Sequence, residues 1–149
     1  MAAWAMHAAA LPHAHWLLWQ GVAAVLLFLV VAIRKQWLNG GGGIMAVWLG
    51  MVVWVSGSWM TAVPMLFFFI TGTLLGKLPR ATVHDSKHAL PRDWMQVLAN
   101  GGIAGLLLMV YLFHPSPWWM LAFWASVAIC TADTWSSEIG QWAGGKVVD

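Results

Sequence analysis

Two of the five acidic residues in this 149-residue chain, Asp133 and Glu138, stand within Thr131-Ala132-Asp133-Thr134-Trp135-Ser136-Ser137-Glu138-Ile139-Gly140, directly after the apolar run 121–130. Carboxylates at the edge of hydrocarbon are costly, and they ordinarily face a bundle interior or a wet cavity that serves a function. With few histidines nearby, the pair suits a hard, oxygen-preferring cation such as Mg²⁺. A second polar run carries Lys77, Arg80, Lys87 and Arg92, followed by Gln96 and Asn100. Lysine and arginine suit phosphate oxygens, arginine in a bidentate mode. Asp133 and Glu138 as metal ligands, with Lys77, Arg80, Lys87, Arg92 and Gln96 as phosphate-binding groups, form the equipment of phosphoryl transfer, where positioning and charge neutralisation supply most of the catalysis. On that reading the catalytic set is Lys87, Arg92, Asn100, Asp133 and Glu138. Two other readings fit the same residues: a polar network that only joins helices, and an ion- or proton-coupled carrier.

The elements that position these groups belong in a bilayer. Hydrophobic residues make up 61% of the chain and Asp, Glu, Lys and Arg only 8%, against roughly 25% charged in soluble domains. The sequence reads as all-α, a polytopic transmembrane helix bundle in a single domain over 1–149, with spans at about 16–33, 42–57, 59–76, 95–113 and 118–139. The second of these, with its apolar heart at 44–55, reaches the roughly 20 residues of a span only if Gly40–Gly43 joins the helix. A net charge of only +2 gives nucleic-acid binding no electrostatic support. Cys130 stands alone inside an apolar run, which excludes a disulfide framework.

Charge placement sets the topology. All seven basic residues fall at Arg34-Lys35, within 77–92, or at Lys146, and five spans put these stretches on one side. Residues 1–15, Ser56-Gly57-Ser58 and His114-Pro115-Ser116-Pro117 fall on the other side and contain no Lys or Arg. By the positive-inside rule the basic side is cytoplasmic and the amino terminus is outside. Trp16, Trp19, Trp59, Trp118 and Trp119 lie at outer ends, and Trp37, Trp94 and Trp142 at inner ends, as an interfacial aromatic belt requires. The first segment lacks a basic n-region and its apolar run is too long for a signal peptide, so it reads as a retained helix.

Within the basic run, Pro91 suits the first turn of a helix and Asp93 its positive end. Arg92, Gln96 and Asn100 then recur every four residues, a polar stripe that runs into the membrane and needs partners at depth. Gly101, Gly102 and Gly105 on the same helix let another backbone close in. The stripe is therefore expected against the fifth segment, where Thr131, Thr134 and Glu138 share one face, and Asp133 and Ser137 the adjacent one. Gly40–Gly43 is followed by no Gly-Lys-Ser/Thr, so it is not a P-loop and reads as a turn or a close helix contact. His7, His13 and His15 lack a carboxylate or cysteine partner; His84 and His88 flank Asp85 with a spacing that suits a metal only if helical, and a solvated loop is the plainer reading.

The runs Lys87-His88-Ala89-Leu90-Pro91-Arg92-Asp93-Trp94-Met95-Gln96-Val97-Leu98-Ala99-Asn100-Gly101-Gly102 and 131–140 resemble the signature segments of domain-of-unknown-function family ninety-two of integral membrane proteins. Order and spacing fit, as does the glycine-rich second segment ahead of Phe67-Phe68-Phe69, and the resemblance extends over residues 20–140. The family includes the plant phytyl-phosphate kinase of tocopherol synthesis. The resemblance therefore implies a polytopic helical fold and transfer of a phosphoryl group from a nucleoside triphosphate to an isoprenoid monophosphate at the cytoplasmic face, by fold-level analogy. A non-catalytic or ion/proton-coupled membrane transport protein is the alternative. Members of that family continue past the second motif with a Gly/Thr-rich segment and further helices, whereas this sequence stops at Lys146-Val147-Val148-Asp149, so an incomplete family domain is expected. The expected setting is a bacterial or archaeal cell membrane, with membrane lipid, nucleoside triphosphate and isoprenoid phosphate as partners, self-association into a homo-oligomer left open, and no nucleic acid. Cysteines placed at Asn100 and Asp133 should cross-link in the membrane if the two polar stripes converge; a complete failure to cross-link excludes that convergence.

Overall fold

The computed structural model describes residues 14–57, 59–77 and 91–143. Five helices follow one another, α1 (Ala14–Arg34), α2 (Gly40–Gly57), α3 (Trp59–Leu75), α4 (Trp94–Phe113) and α5 (Pro117–Trp142), with no strand among the described residues. Each falls on one of the expected segments. Their starts are chemically marked. The Asn39 side chain accepts the Gly42 N–H at 2.8 Å, Asp93 and Gln96 form a capping box on α4, and Ser116 caps α5 with Pro117 in its first turn. At its other end α1 closes in a Schellman turn: the N–H of Trp37 donates to the carbonyl of Ala32 at 2.8 Å, and that of Gln36 to Ile33 at 3.0 Å. Gln36 takes the left-handed conformation with φ 57°, which costs an L-residue about 1–2 kcal/mol.

The helices α2, α4, α5 and α3 pack in that order as a closed ring, and α1 lies outside it against α2. Each ring helix gives two side chains to the core: Val53 and Trp54, Ala62 and Phe68, Ala104 and Leu108, Phe123 and Val127. The most extensive crossing is α2 on α4. A Cβ on Gly101 would come within 2.8 Å of Leu49 Cδ1, and one on Gly105 within 2.6 Å of Leu49 Cδ2. Small residues here let the two helices approach, as van der Waals packing without a hydrophobic driving force demands.

The outer surface is apolar. Leu27, Ile103 and Leu121 are 68%, 63% and 61% exposed, and large apolar side chains cover the outward face of every helix, a surface suited to lipid rather than water. Trp94–Phe113 is long and apolar enough to cross a bilayer, while Trp19–Arg34, Gly40–Ser56 and Trp59–Leu75 are apolar but shorter. The 26-residue α5 carries the Thr131–Gly140 motif inside the helix, so polar residues dilute its apolar character.

Two boundaries depend on a contact between remote segments. The glycine run joins α2 from Gly40 onward. Pro91, expected in the first turn of α4, instead lies two residues ahead of the cap, because the backbone of Arg92 is engaged elsewhere. Its N–H donates to the carbonyl of Trp37 at 3.0 Å, and its carbonyl accepts from the N–H of Asn39 at 3.1 Å. A Cβ on Gly42 would overlap the Arg92 carbonyl oxygen and lie 3.2 Å from its carbon, so the start of α2 presses backbone to backbone on this residue. Gly42→Ala should therefore lower unfolding stability in detergent by about 1–3 kcal/mol through overpacking. Gly40→Ala, with nothing within 4 Å of the added methyl, should stay within about 0.5 kcal/mol of the parent.

Candidate functional site

With its backbone fixed by Trp37 and Asn39, Arg92 sends its side chain along α3 towards α5. The guanidinium carbon lies 5.3 Å from the centre of the Phe69 ring, over its face. One terminal nitrogen is 3.3 Å from where a Cβ on Gly72 would stand, and Thr134 Cγ2 is 3.0 Å from the same point. Four residues on, just past the end of α3, the Cβ position of Gly76 is 3.4 Å from Glu138 Oε1. Gly72 and Gly76 thus leave a flat floor at the end of α3, with Arg92 over one end and the Glu138 carboxylate over the other. The two make no direct ion pair among the described residues. Burial lowers the Arg92 pKa from its ordinary value, and the nearby negative charge of Glu138 opposes that shift. A guanidinium nevertheless stays charged at any physiological pH.

The 131–140 motif divides by face. Thr134, Trp135 and Glu138 turn towards α3. The Trp135 Nε1–H donates to Thr71 Oγ1 at 3.0 Å, Thr71 donates in turn to the Phe67 carbonyl at 2.7 Å, and the rings of Phe67 and Trp135 lie 5.9 Å apart. Asp133, Ser136 and Ser137 are exposed on the outer face. The Ser136 hydroxyl donates to the carbonyl of Asp133 at 2.9 Å, and Thr131 to that of Val127 at 2.7 Å. Five positions apart on one helix, Asp133 and Glu138 point about 140° away from each other. Among the described residues, no group of three His, Cys, Asp or Glu side chains is placed to hold a metal ion.

A second cation shares this end of the bundle. Lys77 Nζ sits 5.2 Å from the centre of the Trp37 ring, Trp37 packs on Phe69 at 6.2 Å, and Phe28 meets Phe69 edge-on at 5.1 Å. Lys77 and Arg92 therefore rest on two rings that touch each other, an arrangement favourable to both charges.

Of the residues singled out by sequence, Arg92 and Glu138 come together, and Lys77 joins Arg92 through the Trp37–Phe69 pair. Gln96 does not reach inward: it is exposed, and its side chain accepts the Asp93 N–H at 3.2 Å while Asp93 Oδ1 accepts the Gln96 N–H at 2.9 Å. Its polar partner is thus the helix cap. Asn100 is half-buried and makes no side-chain hydrogen bond among the described residues. Arg80 and Lys87, with His84, Asp85 and His88, lie outside the described residues. Thr71 and Gly72 are not among the residues the sequence marks for the site, and Trp37 and Phe69 enter there only through the aromatic belt and the family resemblance. The four-residue step from Gly72 to Gly76 is a signal that points to this stretch.

The chain belongs to the family described as "Integral membrane protein DUF92", which matches residues 23–148. It is a membrane protein of that family, in contact with lipid. Protein PGR of Arabidopsis thaliana is 29% identical over 140 residues, covering 80% of this chain and 48% of that protein. The chain thus spans about half the length of the relative it matches. That relative is a plant protein, so the bacterial or archaeal setting expected from sequence finds no support in it. No solved structure matches.

The hydrogen bond between α3 and α5 can be measured directly. Trp135→Phe and Thr71→Val should each cost about 1 kcal/mol of unfolding stability in detergent. The double variant should cost clearly less than the sum, because both changes remove the same bond. Full additivity would show that the bond contributes nothing.

Proposed function

We propose that the chain is a multi-pass membrane protein, amino terminus outside, whose basic end faces the cytoplasm and handles phosphate groups. The reaction we assign is transfer of a phosphoryl group from a nucleoside triphosphate to an isoprenoid monophosphate. An oxygen of the monophosphate attacks the terminal phosphorus, the bridging P–O bond breaks, and nucleoside diphosphate leaves with the bonding electrons. The observation that carries this reading is Arg92, a half-buried guanidinium held by backbone, ring and glycine floor yet without an ion-pair partner among the described residues. Such a group is preorganised for a planar, bidentate grip on phosphate. Lys77 stands on the adjoining Trp37 ring, and Arg80 and Lys87, which fall between the two in sequence and outside the described residues, are assigned to the same cationic set. The isoprenoid chain has lipid-facing surface on every side of the bundle.

Mg²⁺ suits this chemistry as a neutraliser of phosphate charge. Asp133 and Glu138 point apart along one helix, so we assign the ion to carboxylates acting separately with substrate phosphates rather than to one two-carboxylate cage. The exposed Asp133 fits an ion carried in on nucleotide phosphates, a common mode for a cation that binds through one or two carboxylates plus substrate. Glu138, across the glycine floor from Arg92, fits the role of holding that arginine in place. Gln96, exposed while it caps α4, and Asn100, which makes no side-chain hydrogen bond among the described residues, are further polar groups that we assign to the substrate.

Full-length protein purified in detergent, given a prenyl monophosphate, Mg²⁺ and each nucleoside triphosphate in turn, should yield the prenyl diphosphate. Asp133→Asn and Glu138→Gln should abolish product while membrane insertion is unchanged. Absence of diphosphate from the folded protein overturns the kinase reading in favour of a non-catalytic or ion-coupled transport role.

A further inference from the structure

We propose that Trp37 and Thr73, with Lys77 and Arg92, form a phosphate subsite in which the indole N–H and the threonine hydroxyl are the neutral donors. The inference rests on reading the basic end as a phosphate site, and does not require turnover. Trp37 Nε1 and Thr73 Oγ1 are both buried and have no hydrogen-bond partner, the two such side-chain atoms among the described residues. Thr73 is only 8% exposed. Buried donors are ordinarily paired, and an unpaired one needs an explanation.

These two atoms belong to one corner. Phe69 and Thr73 stand four residues apart on α3 and so share a face, and Lys77 follows in the turn just past the helix end. Phe69 and Lys77 both touch the Trp37 ring, at 6.2 Å and 5.2 Å, which places Thr73 between them. Arg92 reaches the same corner over the Phe69 ring. Neither cation has an ion-pair partner among the described residues. The Glu138 carboxylate acts on Arg92 electrostatically from beside Gly76 without pairing with it. Two donors without acceptors and two cations without anions are the complement of one phosphate group. Its oxygens can accept from all four, while the Phe28 and Phe69 rings exclude water and strengthen each contact. Lys77 is exposed, so its ammonium can lift from the Trp37 ring to admit the anion and settle on it afterwards. A phosphomonoester headgroup of a lipid and free phosphate present the same oxygens.

The test uses the full chain in phosphatidylcholine nanodiscs, titrated with inorganic phosphate, and in matched discs containing phosphatidic acid. Trp37→Phe keeps the ring and the cation contact but deletes the N–H; Thr73→Val keeps the shape but deletes the hydroxyl. Each should weaken phosphate affinity about fivefold, the loss of one net hydrogen bond, with a thermal midpoint unchanged or raised because an unpaired buried group has gone. If phosphatidic acid raises the wild-type midpoint and either variant loses that rise, the headgroup is the ligand; a response to soluble phosphate alone assigns the free anion. Both results support the subsite. Wild-type affinity in both variants, or no phosphate response from the wild type in either setting, overturns it. Phosphate binding with this variant sensitivity but without diphosphate product would sink the kinase reading and leave the subsite standing. Product formation indifferent to both variants would do the reverse.

Discussion

Arg92 is held twice, and most of what is distinctive at the basic end follows from that. Its backbone bridges Trp37 and Asn39, and its guanidinium lies between the Phe69 ring, the bare backbone of Gly72 and the neighbourhood of Glu138. Taking a permanent charge out of water is expensive unless geometry and partners compensate. Here compensation is spread over several weak terms rather than one ion pair: a ring face, a carboxylate set apart across a glycine floor, and neighbouring peptide groups. Each term makes a demand on sequence. Gly42 must lack a Cβ so that α2 can start against the Arg92 carbonyl, and a Cβ on Gly72 would crowd Thr134 Cγ2 at 3.0 Å and the guanidinium at 3.3 Å.

Lipid as solvent explains why the rest of the bundle looks as it does. Apolar side chains gain nothing by leaving one hydrocarbon for another, so packing and hydrogen bonds have to hold the helices together. Leu49 seated over Gly101 and Gly105 provides the first, and the Trp135–Thr71 bond the second. The same logic leaves Asp133, Ser136 and Ser137 conspicuous on an outer face, because polar groups facing hydrocarbon are costly. They lie in the second half of α5.

The helices were legible because lipid writes a strong, one-dimensional signal: long apolar runs, basic residues at one end, tryptophans at both. The glycine run before the second segment also read usefully as a helix contact. What the sequence concealed was pairing between Trp37–Asn39 and Arg92, since backbone hydrogen bonds between residues more than fifty positions apart leave no side-chain signature. That hidden bridge displaced Pro91 from the helix and moved the start of α4 to Trp94. Gln96 misled for a related reason. Its spacing from Arg92 and Asn100 is helical, but Asp93-Trp94-Met95-Gln96 is equally a capping box, and local hydrogen bonding prevailed over the longer pattern. The Asp133–Glu138 pair was conspicuous as chemistry. That the two diverge follows from their five-residue separation, which the list of polar residues alone does not display.

The bridge at Arg92 also changes what the connection between α3 and α4 has to do. The chain departs from Lys77 against Trp37 and returns at Arg92 hydrogen-bonded to the same tryptophan. The protein is therefore two pieces, α1–α3 and α4–α5, already clasped through α2 on α4 and α3 on α5 as well as through this bridge. The junction is closed by these contacts themselves and does not depend on the length of chain that joins its two sides. Doubling the length of a closed loop costs only about 0.6 kcal/mol in closure entropy. The helices can therefore hold Lys77 and Arg92 at one corner whatever their spacing in sequence.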